Sequence, residues 1–115
     1  MSHVKRVITP FQVYTAADIA TSPTSVESDL TNLDYAHYDI FWTGVAPVGT
    51  ITVEYLRDGA EDWETLDLGA TVSISGATGS HRILLTQLPF KKLRLKTTYT
   101  SGAGTINAYL TAKEF

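Results

Sequence analysis

Apolar and polar residues alternate along most of this chain, and the period is two. In residues 50–56, Ile51, Val53 and Tyr55 fall on one side and polar or charged residues separate them. Successive side chains of a strand point to opposite faces, so this is the pattern of a half-buried strand. Leu93, Leu95 and Thr97 repeat it, with charge between them. Shorter β-like runs cover residues 4–8 and 11–14, split by Pro10, and residues 38–43, closed by Gly44. Others are residues 63–66, returning from a turn at Arg57-Asp58-Gly59, then 71–74, 80–85 and 105–112; residues 25–30 alternate weakly. Residues 91–112 read as a long hairpin turning at Ser101-Gly102-Ala103-Gly104.

Helical periodicity is nearly absent. The best candidate, residues 16–20, is long enough for one turn and is followed by Ser22-Pro23. Many short strands spaced by turns, with no helical crossover between them, predict an all-β fold with mainly antiparallel sheets. We expect an antiparallel β-sandwich, jelly-roll-like, of about eight strands. No linker, repeat or low-complexity segment divides the chain, so residues 1–115 are expected to form one domain.

Composition narrows the function classes. A chain of 115 residues can bury well over half of the surface it exposes when unfolded, and needs no metal or disulfide to fold. It has no cysteine, which removes disulfides, thiolate metal sites and cysteine nucleophiles together. Nine basic against twelve acidic residues give a formal net charge of −3, a poor basis for general nucleic-acid binding, where phosphate attraction supplies most of the affinity. No apolar run approaches the roughly 20 residues that a membrane span needs, and the apolar stretch after Arg6 is too short for a signal-peptide core. The chain is expected to be made and kept in a cytoplasm until it is assembled or released.

Candidate chemistry is sparse. His3, His37 and His81 lie in separate contexts with no metal-ligand spacing. Asp58, Glu61, Asp62, Glu64 and Asp67 are dense but lack the alternation of a calcium loop, and read as a charged hairpin tip. No Gly-x-Ser-x-Gly elbow and no phosphate-cradling loop is present. We therefore expect no catalytic residue, no metal site and no cofactor, and a protein that is not an enzyme. Phe41 and Trp42 are adjacent, so one should be core and the other free for contacts. Trp63 reads as a packing anchor, and alternation places Lys92, Arg94 and Lys96 on one solvent face.

Three segments resemble small β-sandwich, virion-type proteins of tailed bacteriophages. They are Phe41-Trp42-Thr43-Gly44 followed by residues 49–54; Asp58-Gly59 with Trp63 and Leu66; and residues 88–95 followed by residues 100–108. The resemblance covers roughly residues 36–113 and implies a head, neck or tail component, such as a capsid decoration protein, that resides in the virion. The Asp58-Gly59 turn, Trp63, and Phe90 ahead of the Arg94 strand are also similar to discoidin-type and carbohydrate-binding jelly rolls, which implies glycan binding as the alternative.

The expected partners are thus further copies of the chain and other virion proteins, or a host-surface glycan, with no nucleic acid and no membrane. Residues 1–23 are the candidate docking or exchange arm, since terminal segments become ordered only against a surface. Phe11, Tyr14, Trp42, Phe90, Lys92 and Arg94 are the residues expected at an interface.

Overall fold

A computed structural model describes residues 7–29, 35–57, 59–68, 71–86 and 92–113. The described chain is all-β and antiparallel, as the alternation predicts. Its strands are β1 (Val7–Asp18), β2 (Ser28–Asp29), β3 (Tyr35–Leu56), β4 (Glu64–Leu66), β5 (Val72–Ile74), β6 (Thr78–Thr86) and β7 (Lys92–Lys113). The one helical turn that the sequence suggests is a 3-10 turn at Ile19–Thr21, capped by the Asp18 carboxylate, which accepts from the Ala20 amide at 3.0 Å.

β3 and β7 dominate the architecture. Each is 22 residues long, and they pair antiparallel from Tyr35↔Lys113 to Leu56↔Lys92. Both bend at mid-length, where the register shifts around Val45, Val48 and Gly49. The first half of β3 and the last half of β7 lie between β1 and β6. The other halves lie between β2 on one side and β4 and β5 on the other. Two layers result, in the orders β1–β7–β3–β6 and β2–β7–β3–β4/β5. With the halves taken separately, and β4 and β5 as one broken strand, the chain steps between layers in the sequence of a jelly-roll-like sandwich.

The bend corrects two sequence expectations. Gly44 does not close a strand, and Ser101-Gly102-Ala103-Gly104 does not turn a hairpin; the chain runs through both places. The two strands cross there backbone to backbone. Gly102 has φ 81°, and a Cβ on it would strike the Ala46 carbonyl; a Cβ on Gly44 would strike that of Ala103. Glycine serves the close approach of two bending strands, which in sequence looks the same as a turn.

The interior lies between the layers. Ala36, Tyr38, Ile40 and Trp42 of β3 and Ile106, Ala108, Leu110 and Ala112 of β7 face Ile51, Val53, Leu93 and Leu95 from the second layer. The predicted inward faces of residues 50–56 and 93–97 are therefore as expected.

Candidate functional site

Alternation gives each strand an outer face, and the outer faces hold the groups available to partners. On the first layer these come from the odd positions of β3 and β7 and the even positions of β6. Among the described residues Phe41, Leu84 and Val45 are the exposed large apolar side chains at these positions, 47%, 60% and 78% exposed. Phe41 packs edge-on against Tyr109, with ring centroids 6.3 Å apart. Beside them runs a polar chain. Asp39 Oδ1 accepts from Arg82 Nε at 2.7 Å, and Asp39 Oδ2 lies 3.2 Å from His37 Nε2. Tyr35 meets the His37 ring edge-on at 5.9 Å. This cross-strand row arises because register sets Asp39 opposite Arg82.

The outer face of the second layer is polar. Lys92, Arg94 and Lys96 share it, as alternation predicts. Register places Arg94 opposite Glu54, whose carboxylate accepts from Arg94 Nε at 2.8 Å. The Trp63 ring stacks over the guanidinium, 4.1 Å from its carbon to the centroid. Arg94 is thus neutralised and covered, so it does not offer a free positive stripe. Trp63 is only half-buried, a lid on an ion pair and not the core anchor that its place after a turn suggested.

Between β4 and β5 a hollow of about 480 Å³ opens along β3. Thr50, Thr52, Thr65, Thr71 and Asp67 give it polar groups, with Leu66 and Leu68 among its apolar walls. Among the described residues no group of three His, Asp or Glu side chains could hold a metal ion. Glu64 of the acidic tip pairs with Arg57 at 2.9 Å.

The structure redistributes the residues expected at an interface. Trp42 is core: it faces inward, 7% exposed, and its indole donates to the Ser75 carbonyl at 3.1 Å. Phe41 is the outward member of that pair. Tyr14 is also interior, 3% exposed, with its phenol among the backbone of the opposite layer. Phe11 pairs through its backbone with Leu110; its side chain, Phe90, Lys91, Asp58 and His3 lie outside what is described. From Val7 to Pro23 the expected arm is not free. It forms the edge of its own first layer, buries Val13, Tyr14 and Ile19, and sets Pro23 beside Thr97. Sequence reasoning does not single out Leu84 or Asp39: the signal for Leu84 is an apolar residue on the polar phase of an alternating strand, and Asp39 is marked only by its register opposite Arg82.

No protein-family model matches the chain, and no curated protein matches it by sequence. Solved structures do match the fold. The SPBc2 prophage-derived protein YomS has a TM-score of 0.51 and 9% identity, over 96% of this chain and 97% of that one. A chain in the structure of the infectious bursal disease virus Gx strain has a TM-score of 0.55 and 13% identity, over 98% of this chain and 33% of that one. What is shared with a prophage-derived protein and with part of a viral chain is the all-β sandwich.

Proposed function

We propose that the chain is a non-enzymatic structural component of a tailed-phage particle, in its head, neck or tail, and that it acts by protein–protein assembly. One observation carries this reading: the likeness to the prophage-derived protein spans nearly the whole of both chains. In that protein the shared fold makes up nearly the whole chain, as it does here. The surface is compatible with it: Phe41 and Leu84 stand exposed on the first layer's outer face, one at each end of the Asp39–Arg82 pair.

Glycan binding draws less support. It needs an open aromatic platform beside polar groups, and Trp63 is covered by Arg94 while Phe41 is braced by Tyr109. Among the described residues, the threonine-lined hollow between β4 and β5 is the place best suited to a sugar.

Mass spectrometry of density-purified particles from the strain that encodes the chain tests the assembly reading. Peptides of this chain at structural-protein stoichiometry are expected, reduced in a Phe41→Ser variant. Particles without them would overturn it, and a positive glycan array would then favour the sugar.

A further inference from the structure

The edges of the two layers are unequal. β2 is two residues long, and β4 and β5 three each. β1 is broken by three register shifts and carries Pro10. Short strands, bulges and prolines are the usual means of blunting an edge against further pairing. β6 has none of them. Its nine residues run in unbroken register along β3, from Tyr35↔Thr86 to Thr43↔Thr78. It contains no lysine and no proline, and Ile83, Leu84 and Leu85 occupy consecutive positions. Among the described residues its far side pairs with no strand. Beside it the gap between layers is open, lined by Leu68, Thr71 and Val72 together with His81–Leu84 of β6.

We propose that β6 is the edge on which a second copy of this chain adds, strand to strand and antiparallel, joining two first layers into one continuous sheet across a two-fold axis. The inference rests on the assembly reading above and names its contact. The charges of the strand favour a second copy over a charged peptide, because its one formal charge, Arg82, is already held by Asp39 at 2.7 Å.

The same charges select the register. In a two-fold antiparallel pair, side chains opposite one another share a face, so the axis passes through a residue. An axis through Arg82 would oppose two guanidinium groups. An axis through Leu84 leaves more of the strand unpaired, and one through His81 sets His81 against His81 and Ile83 against Gly79 and leaves Leu85 outside the ladder. An axis through Ile83 sets Ile83 against Ile83, Arg82 against Leu84, His81 against Leu85 and Ser80 against Thr86. No like charges then meet, and the inward side chains extend the hollow beside Leu68 and Val72.

Sedimentation equilibrium of the full chain tests this, with Leu84→Lys and Leu84→Glu compared. Leu84 is 60% exposed, so both variants should keep the fold, as circular dichroism would verify. The unmodified chain should dimerise. Leu84→Lys sets two lysines against two arginines and should weaken the dimer by about tenfold or more. Leu84→Glu faces Arg82 with opposite charge and should hold the dimer or tighten it. A monomer into the millimolar range would overturn the pairing. So would equal weakening by both variants, which marks an apolar patch without strand register. A monomer that is nonetheless found in purified particles sinks this contact and spares the assembly reading. A charge-dependent dimer that is absent from particles does the reverse.

Discussion

The phenol oxygen of Tyr14 lies 3.0 Å from Oγ1 of Thr97, and the contact joins strands of opposite layers. The same oxygen is 2.7 Å from the Pro23 carbonyl and 3.2 Å from that of Leu95. A phenol has one proton to give. With that proton on Pro23, the Thr97 hydroxyl donates to Tyr14, and three chain segments are tied at one atom. Tyr14→Phe should cost about 2 kcal/mol, because it strips a partner from buried oxygens. Thr97→Val should cost a similar amount. The double variant should lose less than the sum, by about 1 kcal/mol, since the two act as one unit. Urea denaturation of all four chains measures it, and strict additivity would refute the pairing.

Burial gives this tyrosine a second consequence. Loss of water raises its pKa from 10.0 to about 12, against the smaller opposing effect of the Thr97 hydrogen bond. Tyr38, deeper still, is pushed higher by burial first and by Tyr14 second. In the unfolded chain both return to the ordinary value of 10.0. The folded state therefore holds more protons above that pH, and unfolding gains as they leave. Stability should be unaffected by these groups below pH 10.0, then fall steadily as pH rises toward about 12 and beyond. In a phenolate absorbance titration, two of the six tyrosines should ionise late and together with loss of fold. Tyr14→Phe should flatten the alkaline decline. Six tyrosines titrating alike near the ordinary value would contradict the burial.

How much of this was legible beforehand depended on the range over which each feature is decided. The inward faces of residues 50–56 and 93–97 follow from alternation, which is local, and both were readable. Which of Phe41 and Trp42 turns inward is set by the register of β3 against β6 and β7, more than 35 residues away in the chain; alternation alone leaves that phase open. The bends at Gly44 and Gly102 look like turns because glycine marks close approach as well as reversal. Tyr14 looked like an interface residue because its partner, Thr97, is 83 positions off. The exposed row of Phe41, Asp39, Arg82 and Leu84 is assembled from two strands, and no single segment displays it.

Gly79 lies opposite Trp42 in the β3–β6 ladder, and a Cβ on it would strike the indole ring. The tryptophan is fixed in turn by its hydrogen bond to the Ser75 carbonyl, so it cannot swing away cheaply. Gly79→Ala should destabilise the fold by about 2 kcal/mol through overpacking. Trp42→Phe removes the ring atoms in question. It should cost stability alone, yet relieve most of the added penalty of Gly79→Ala when the two are combined. Thermal melts of the single and double variants decide this. If Gly79→Ala were as harmful beside Phe as beside Trp, the cause would be backbone conformation and not the indole.

Glu54 and Arg94 test what the outer ion pair contributes. The Glu54 and Arg94 side chains are only 12% and 26% exposed, and Trp63 covers the guanidinium. Two charges so far withdrawn from water depend on each other. Arg94→Ala would leave the Glu54 carboxylate without its partner and should cost about 2 kcal/mol, less than a fully buried pair loses because both side chains keep some exposure. Replacing both residues with methionine keeps volume and removes the desolvation cost of two ions, so the Glu54→Met/Arg94→Met chain should be at least as stable as the unaltered one. Trp63→Ala should cost less than Arg94→Ala, because it takes away a stacking surface and leaves the ion pair intact. Urea melts rank the three; guanidinium chloride is a salt and would distort the ranking by screening the pair. A double methionine variant weaker than Arg94→Ala would mean that the pair stabilises the fold outright.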